Sequence, residues 1–171
     1  MKNRINADYW IKKLSLIRHE EGGYYREIYR SPSQVPQSCL PERFSGPRPF
    51  GTSIYFLLEN DQISAMHRLQ ADEIWHFYTG GSLTIYIINP QGICSHIFLG
   101  DDFENGEVYQ AVVPAGAWFG AKLNKTVGYA LVGCTMAPGF SFDDFELGSR
   151  GALIQKFPQH REIIKMLTRD D

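Results

Sequence analysis

From residue 52 onward, apolar and polar positions alternate in short runs separated by turn-forming residues, and a period of two is what a strand with two differently occupied faces produces. The pattern predicts strands over 52–58, 63–69, 73–78, 83–88, 93–99, 108–113, 118–123 and 126–134. Gly80-Gly81, Asn89-Pro90-Gln91-Gly92, Pro114-Ala115-Gly116 and Asn124-Lys125 supply the turns. Short strands at this near-regular spacing predict an all-β sandwich or barrel. Upstream, Asn6 can cap a helix in which Trp10, Ile11 and Leu14 form one apolar stripe, and Glu21-Gly22-Gly23 ends it. Residues 24–30 alternate aromatic and charged side chains in strand fashion. The stretch 31–49 holds five of the nine prolines and few large apolar residues, so it reads as an irregular loop: a lid, an interface arm or a mobile segment. At the far end Pro158 opens a helix with Ile163, Met166 and Leu167 on one stripe. No internal repeat or composition break divides the chain, and one domain over 1–171 is expected.

The densest chemistry lies within 64–89. Glu73, Trp75 and Phe77 alternate with Ile74, His76 and Tyr78, so one strand face carries a carboxylate beside two aromatic rings. The polar triplet Gln70-Ala71-Asp72 can turn the chain and set the strand bearing His67 and Leu69 alongside. If His67 and Leu69 point inward, Glu73, Trp75 and Phe77 share that interior while Ile74, His76 and Tyr78 face out. A buried carboxylate needs a partner, and His67 is the expected one. The same contact would also arise as a purely structural hydrogen bond.

These residues resemble the cupin superfamily. Its first motif runs glycine, five residues, His-x-His, three or four residues, Glu, six residues, Gly, and this chain has His67-Arg68-Leu69, three residues, Glu73, six residues, Gly80. Asp61 stands at the opening glycine. The second motif, Pro-x-Gly-x-x-His, is matched by Pro114 to Phe119 with Phe119 in place of histidine. The stretches His19-Glu20-Glu21-Gly22-Gly23-Tyr24-Tyr25-Arg26, 51–58 and Gly133 to Phe140 are similar to one uncharacterised cupin subfamily, which usually has Pro where Glu20 stands. The resemblance implies a double-stranded β-helix, the cupin jelly roll, with short flanking helices at both termini. Leu69 and Phe119 occupy two of the family's four metal-ligand positions, so His67 and Glu73 alone are too few for a site that ordinarily takes three or more side chains. No metal and no cofactor are expected.

Composition narrows the partners. A net charge of −2, from 17 basic and 19 acidic residues, offers no electrostatic footprint for nucleic acid or an anionic membrane. No stretch approaches 18 uninterrupted apolar residues. Cys39, Cys94 and Cys134 have neither paired nor zinc-type spacing and read as reduced thiols, which with the absence of an apolar N-terminal run predicts a cytoplasmic protein. Gly-x-Ser-x-Gly and phosphate-cradling glycine motifs are missing, which disfavours acyl and phosphoryl transfer.

The expected site is therefore a barrel interior binding a small polar, sugar-like metabolite. Tyr24, Tyr55, Trp75, Phe77, Trp118, Phe119, Tyr129 and Phe140 are the candidate ligand-binding residues. Metal-free sugar-nucleotide epimerases of similar fold use a histidine at the first cupin-ligand position as base. By that resemblance His67 would be a base and Glu73 would orient it in a metal-independent isomerase or epimerase, with Tyr24, Tyr55 or Tyr129 as acid. A non-catalytic binding module and a metal-dependent oxygenase or isomerase are the alternatives. The outward set Ile74, His76 and Tyr78 suits a homodimer interface or, equally, a solvated strand face.

Overall fold

The structure, a computed structural model, describes residues 6–125 and 128–169. In chain order the regular elements are α1 (Ala7–Lys13), β1 (Ile17–Arg18), β2 (Tyr24–Arg30), β3 (Gln34–Val35), β4 (Arg48–Pro49), β5 (Thr52–Glu59), β6 (Ile63–Arg68) and β7 (Glu73–Gly80). There follow β8 (Leu83–Ile88), β9 (Cys94–Leu99), β10 (Gln110–Val113), β11 (Trp118–Leu123), β12 (Tyr129–Met136), β13 (Glu146–Leu147), α2 (Arg150–Lys156) and α3 (Arg161–Met166).

The long strands form two antiparallel sheets, ordered β1-β2-β5-β12-β7-β10 and β13-β6-β11-β8-β9. Their facing sides meet in one core: Phe56, Trp75, Val132 and Met136 from the first sheet pack with Ile85, Leu99, Phe119 and Leu123 from the second. The result is the all-β double-stranded β-helix, with short helices near both ends. Every strand expected after residue 52 is present with ends shifted by about two residues or fewer, except that Thr126 and Val127 of the last one lie outside the described residues.

Helices cover the outer faces. Asn6 Oδ1 accepts the Tyr9 N–H at 3.0 Å and opens α1, which lays Ala7, Trp10, Ile11 and Leu14 on Leu57 and Leu131 of the six-stranded sheet. At the other end Ser149 accepts the Ala152 N–H to start α2. This helix has only seven residues and no sustained stripe, so the sequence pattern passes over it. Together α2 and α3 place Leu153, Phe157, Ile164 and Leu167 against Met66, Ile88 and Trp118.

The proline-rich stretch is an ordered arm. β3 and β4 pair within it, Phe44 is sunk in the main core, and Arg43 Nε donates to Gln70 O at 2.7 Å. Its anchor is buried: the Arg48 guanidinium grips Asp144 through Nε–Oδ2 and Nη2–Oδ1 contacts of 2.6 Å each.

Candidate functional site

A cavity of about 240 Å³ lies at one end of the barrel, walled by β2, β5, β6, β7, β12 and the turn 140–145. Phe56, Trp75, Phe140 and Phe145 supply much of its apolar surface, and His19, Glu21, His67 and Glu73 its titratable groups.

Glu21 reaches this cavity because two glycines follow it. Gly22 and Gly23 have φ of +115° and +69°, and a Cβ on them would fall 2.2 Å from Ile63 O and 2.6 Å from Leu57 O. Only glycine lets this turn settle so closely between β5 and β6. The turn is closed by Gly22 N–H to His19 O at 3.1 Å and docked by Ala65 N–H to Glu21 O at 2.8 Å.

β6 meets it with an irregularity. The register against β11 shifts, so that His67 opposes Phe119 while Ser64 opposes Ala121. Residues three apart in a regular strand face opposite ways, but the bulge turns Ser64 and His67 to the same carboxylate. Ser64 Oγ donates to Glu21 Oε1 at 2.7 Å, and His67 Nε2 lies 3.2 Å from Glu21 Oε2. Gly120 accommodates the bulge, since a Cβ there would stand 2.7 Å from Ser64 O.

The hydrogen bonds place the protons. His67 Nδ1 is 2.8 Å from Ala65 O, which can only accept, so Nδ1 carries a hydrogen. Nε2 then faces the Glu21 carboxylate, an ion-pair contact when the ring is protonated, and His67 and Glu21 form a close His–carboxylate dyad. The His67 ring is fixed by Phe119 at 4.0 Å and Phe145 at 5.4 Å between centroids. His19 is in the opposite condition: its Nδ1 accepts the Glu21 N–H at 3.2 Å, which leaves the hydrogen of the neutral ring on Nε2. Burial, only partly offset by Glu21, lowers its pKa.

Glu73 opens β7, opposite Met136 of β12 and Val113 of β10. Its Oε2 accepts Trp75 Nε1–H at 2.6 Å. Burial, reinforced by the nearby Glu21 charge and only partly countered by the Trp75 hydrogen bond, raises its pKa to about 8. It is a neutral carboxylic acid at pH 7. Burial, then Glu73 and Glu21, also push the Cys134 thiol well up, so this wall residue stays protonated.

Several expectations require correction. His67 and Glu73 do line the same cavity, but the carboxylate against His67 is Glu21, and Glu73 is held by Trp75 instead. Tyr24, Tyr55 and Tyr129 lie on the other side of the six-stranded sheet, packed with α1. The tyrosine of the cavity is Tyr25, edge-on to His19 at 4.5 Å. Trp118 and Phe119 are neighbours on one strand and point oppositely: Phe119 meets His67, whereas Trp118 sits under Arg68 and the C-terminal helices. Phe77 is core, stacked near Tyr109 and away from the cavity, while Trp75 and Phe140 line it. His19 and Glu21 were not singled out chemically. Their signal was the His-Glu-Glu-Gly-Gly run, whose paired glycines announced a tight turn without saying where it docks.

A cupin metal centre would draw on positions 67, 69, 73 and 119. Here Leu69 and Phe119 are buried hydrocarbon, both His67 nitrogens are engaged and Glu73 Oε2 is bonded to Trp75. Among the described residues no group of three or more His, Cys, Asp or Glu side chains could hold a metal ion. The donor set does not fit such a centre.

The fold and this site define a cupin, and the comparisons agree. The model of the Cupin_5 family, described as cupin superfamily (DUF985), matches residues 8–148, and the chain belongs to that family. The uncharacterized protein YML079W of Saccharomyces cerevisiae is 31% identical over 142 residues, spanning 78% of this chain and 71% of that protein. Among solved structures, protein SO0799 from Shewanella oneidensis shares 45% identity with a TM-score of 0.89, covering 98% of this chain and all of the other. A hypothetical protein from Leishmania major shares 35% identity with a TM-score of 0.88, over 97% of this chain and all of that one. Oxalate decarboxylase from Bacillus subtilis is 19% identical at a TM-score of 0.55, covering 90% of this chain and 37% of that protein, a likeness of fold alone. No described helix is long and apolar enough to cross a membrane.

Proposed function

We propose that the cavity binds a small polar, sugar-like metabolite and isomerises or epimerises it by proton transfer without a metal, in a protein that works as a homodimer. The observation that carries this reading is the pair of carboxyl groups in one cavity with different surroundings: Glu21 accepts from Ser64 and stands 3.2 Å from His67 Nε2, while Glu73 is buried with one hydrogen bond, from Trp75, and a pKa raised to about 8. Environments that separate two neighbouring acids in this way set up a base and an acid. In the proposed step the Glu21–His67 dyad takes a proton from carbon next to a substrate carbonyl. The C–H electrons form the C=C bond of an enol as Glu73 protonates the carbonyl oxygen. Reprotonation of that carbon on its other face, as the enol hydroxyl returns its proton to Glu73, completes epimerisation; protonation of the former carbonyl carbon instead, as the hydroxyl on the adjacent carbon gives its proton to Glu73 and becomes the new carbonyl, completes isomerisation.

The test is solvent exchange. The small molecule that copurifies with the chain, or a panel of free aldoses and ketoses, is incubated in heavy water and followed by NMR. The wild type should incorporate deuterium next to the carbonyl, and Glu21→Gln should lower the rate by ~10²-fold or more while keeping most of the affinity. Binding without any wild-type exchange would leave a non-catalytic binding module.

The homodimer rests on the outer face of the six-stranded sheet near β7 and β10. Ile74 and Val112 are directly paired there, with Tyr78 on the same face of β7, and Val112 and Tyr78 are 51% and 47% exposed. An apolar patch of this kind on a sheet face is suited to burial against a second copy.

A further inference from the structure

The polar groups of the cavity also say what kind of ligand end they receive. Each formal charge that lines it has an opposite partner at hand. Arg30, at the mouth, gives Nε and Nη2 to the two Glu27 oxygens at 3.0 and 2.7 Å and Nη1 to Phe140 O at 2.9 Å. His67 already stands against the Glu21 carboxylate. Among the described residues of the lining, neither cationic side chain is without a carboxylate beside it. Among the described residues, Glu73 has no hydrogen bond on its second oxygen, and His19 has none on Nε2, where the neutral ring keeps its hydrogen. Glu73 is 8% exposed and the His19 side chain 8%, so both are held in place and shielded from bulk water.

Resting on the proton-transfer reading above, and deepening it, we infer that the site takes an uncharged carbonyl compound, its oxygen received by the Glu73 carboxyl and the His19 Nε2–H, and rejects anions carrying a carboxylate or phosphate at that end. An anion brought here would lose its hydration with no free cation to replace it, and would stand beside the Glu21 carboxylate. A neutral carbonyl accepts two hydrogen bonds and loses little on leaving water. Phe140, Phe142 and Phe145 line the cavity as well and can pack on the C–H face of the ligand. The volume of about 240 Å³ is slightly below the usual range for drug-sized ligands, which favours a ligand smaller than a nucleotide.

The test uses two probes of equal shape, mandelamide and mandelate, titrated into the full chain at neutral pH and followed by NMR. The amide should bind at least about 100-fold more tightly than the carboxylate, a difference expected when an anion is desolvated without a counter-charge. Glu73→Gln, which keeps a donor and the shape, should retain amide binding within about tenfold, whereas Glu73→Leu should weaken it by more than that. Equal affinity for the two probes, preference for mandelate, or no binding of either at about 10 mM overturns the inference. Solvent exchange into a different bound molecule is read separately. Exchange with a charged ligand would sink this inference and leave the proton-transfer reading standing; amide preference with no exchange in any ligand would do the reverse.

Discussion

Glu73 and Glu21 share a residue type and a cavity, and their neighbours make them different reagents. Among the described residues Trp75 alone donates to Glu73, and one hydrogen bond does not offset full burial beside another carboxylate. The raised pKa has a consequence for stability. The unfolded chain releases this proton near 4.5 and the folded one near 8, so between those values the native state binds more protons and each step up in pH disfavours it. The slope from this group is at most about 1.4 kcal/mol per pH unit. Glu73→Gln should therefore flatten the fall in stability from pH 5 to 8, seen in urea unfolding curves across that range, and be the more stable protein at the alkaline end. Parallel curves for the two proteins would count against a buried neutral Glu73.

At the scale of elements, the arm from residue 31 to 49 reaches the cavity without lining it. Arg48 and Asp144 are both buried, and Asp144 belongs to the short turn that carries Phe142 and Phe145. Arg48→Ala would leave Asp144 charged and unpaired, and unfolding should report a loss of about 3–5 kcal/mol. Replacing both by apolar residues of similar volume should recover most of it; a loss under about 1 kcal/mol in the single variant would show that the arm is not anchored there.

The strands after residue 52 were legible because alternation survives wherever one face is core and the other polar. It failed where both faces are covered. β5 and β12 lie between the main core and α1, so Tyr55 and Tyr129 read as inward candidates although they pack outward on the helix. Tyr24 and Tyr25 follow a glycine turn whose phase the pattern does not set, and the structure chose Tyr25 for the cavity. The partner of His67 was hidden for another reason. Glu21 is 46 positions away, and the contact depends on the bulge in β6 and on the glycine turn, neither of which leaves a periodic trace.

For the whole molecule, the two sheets do separate work. The inner faces enclose the cavity, and the outer face around Ile74, Tyr78 and Val112 is available for a second copy. Sedimentation at about 10 μM should give a dimer mass for the wild type and a monomer for Val112→Glu, with the cavity intact in both. A monomeric wild type would remove the homodimer from the account. The central claim, that this cavity sets a protonated carboxyl beside a close His–Glu dyad, is tested most directly by ¹³C NMR of glutamate side-chain carboxyl carbons, with Glu73 assigned by its loss in Glu73→Gln. The account predicts a Glu73 titration midpoint near 8, with the group protonated at neutral pH. A Glu73 signal already fully ionised at about pH 6, close to an ordinary carboxyl group, would contradict it.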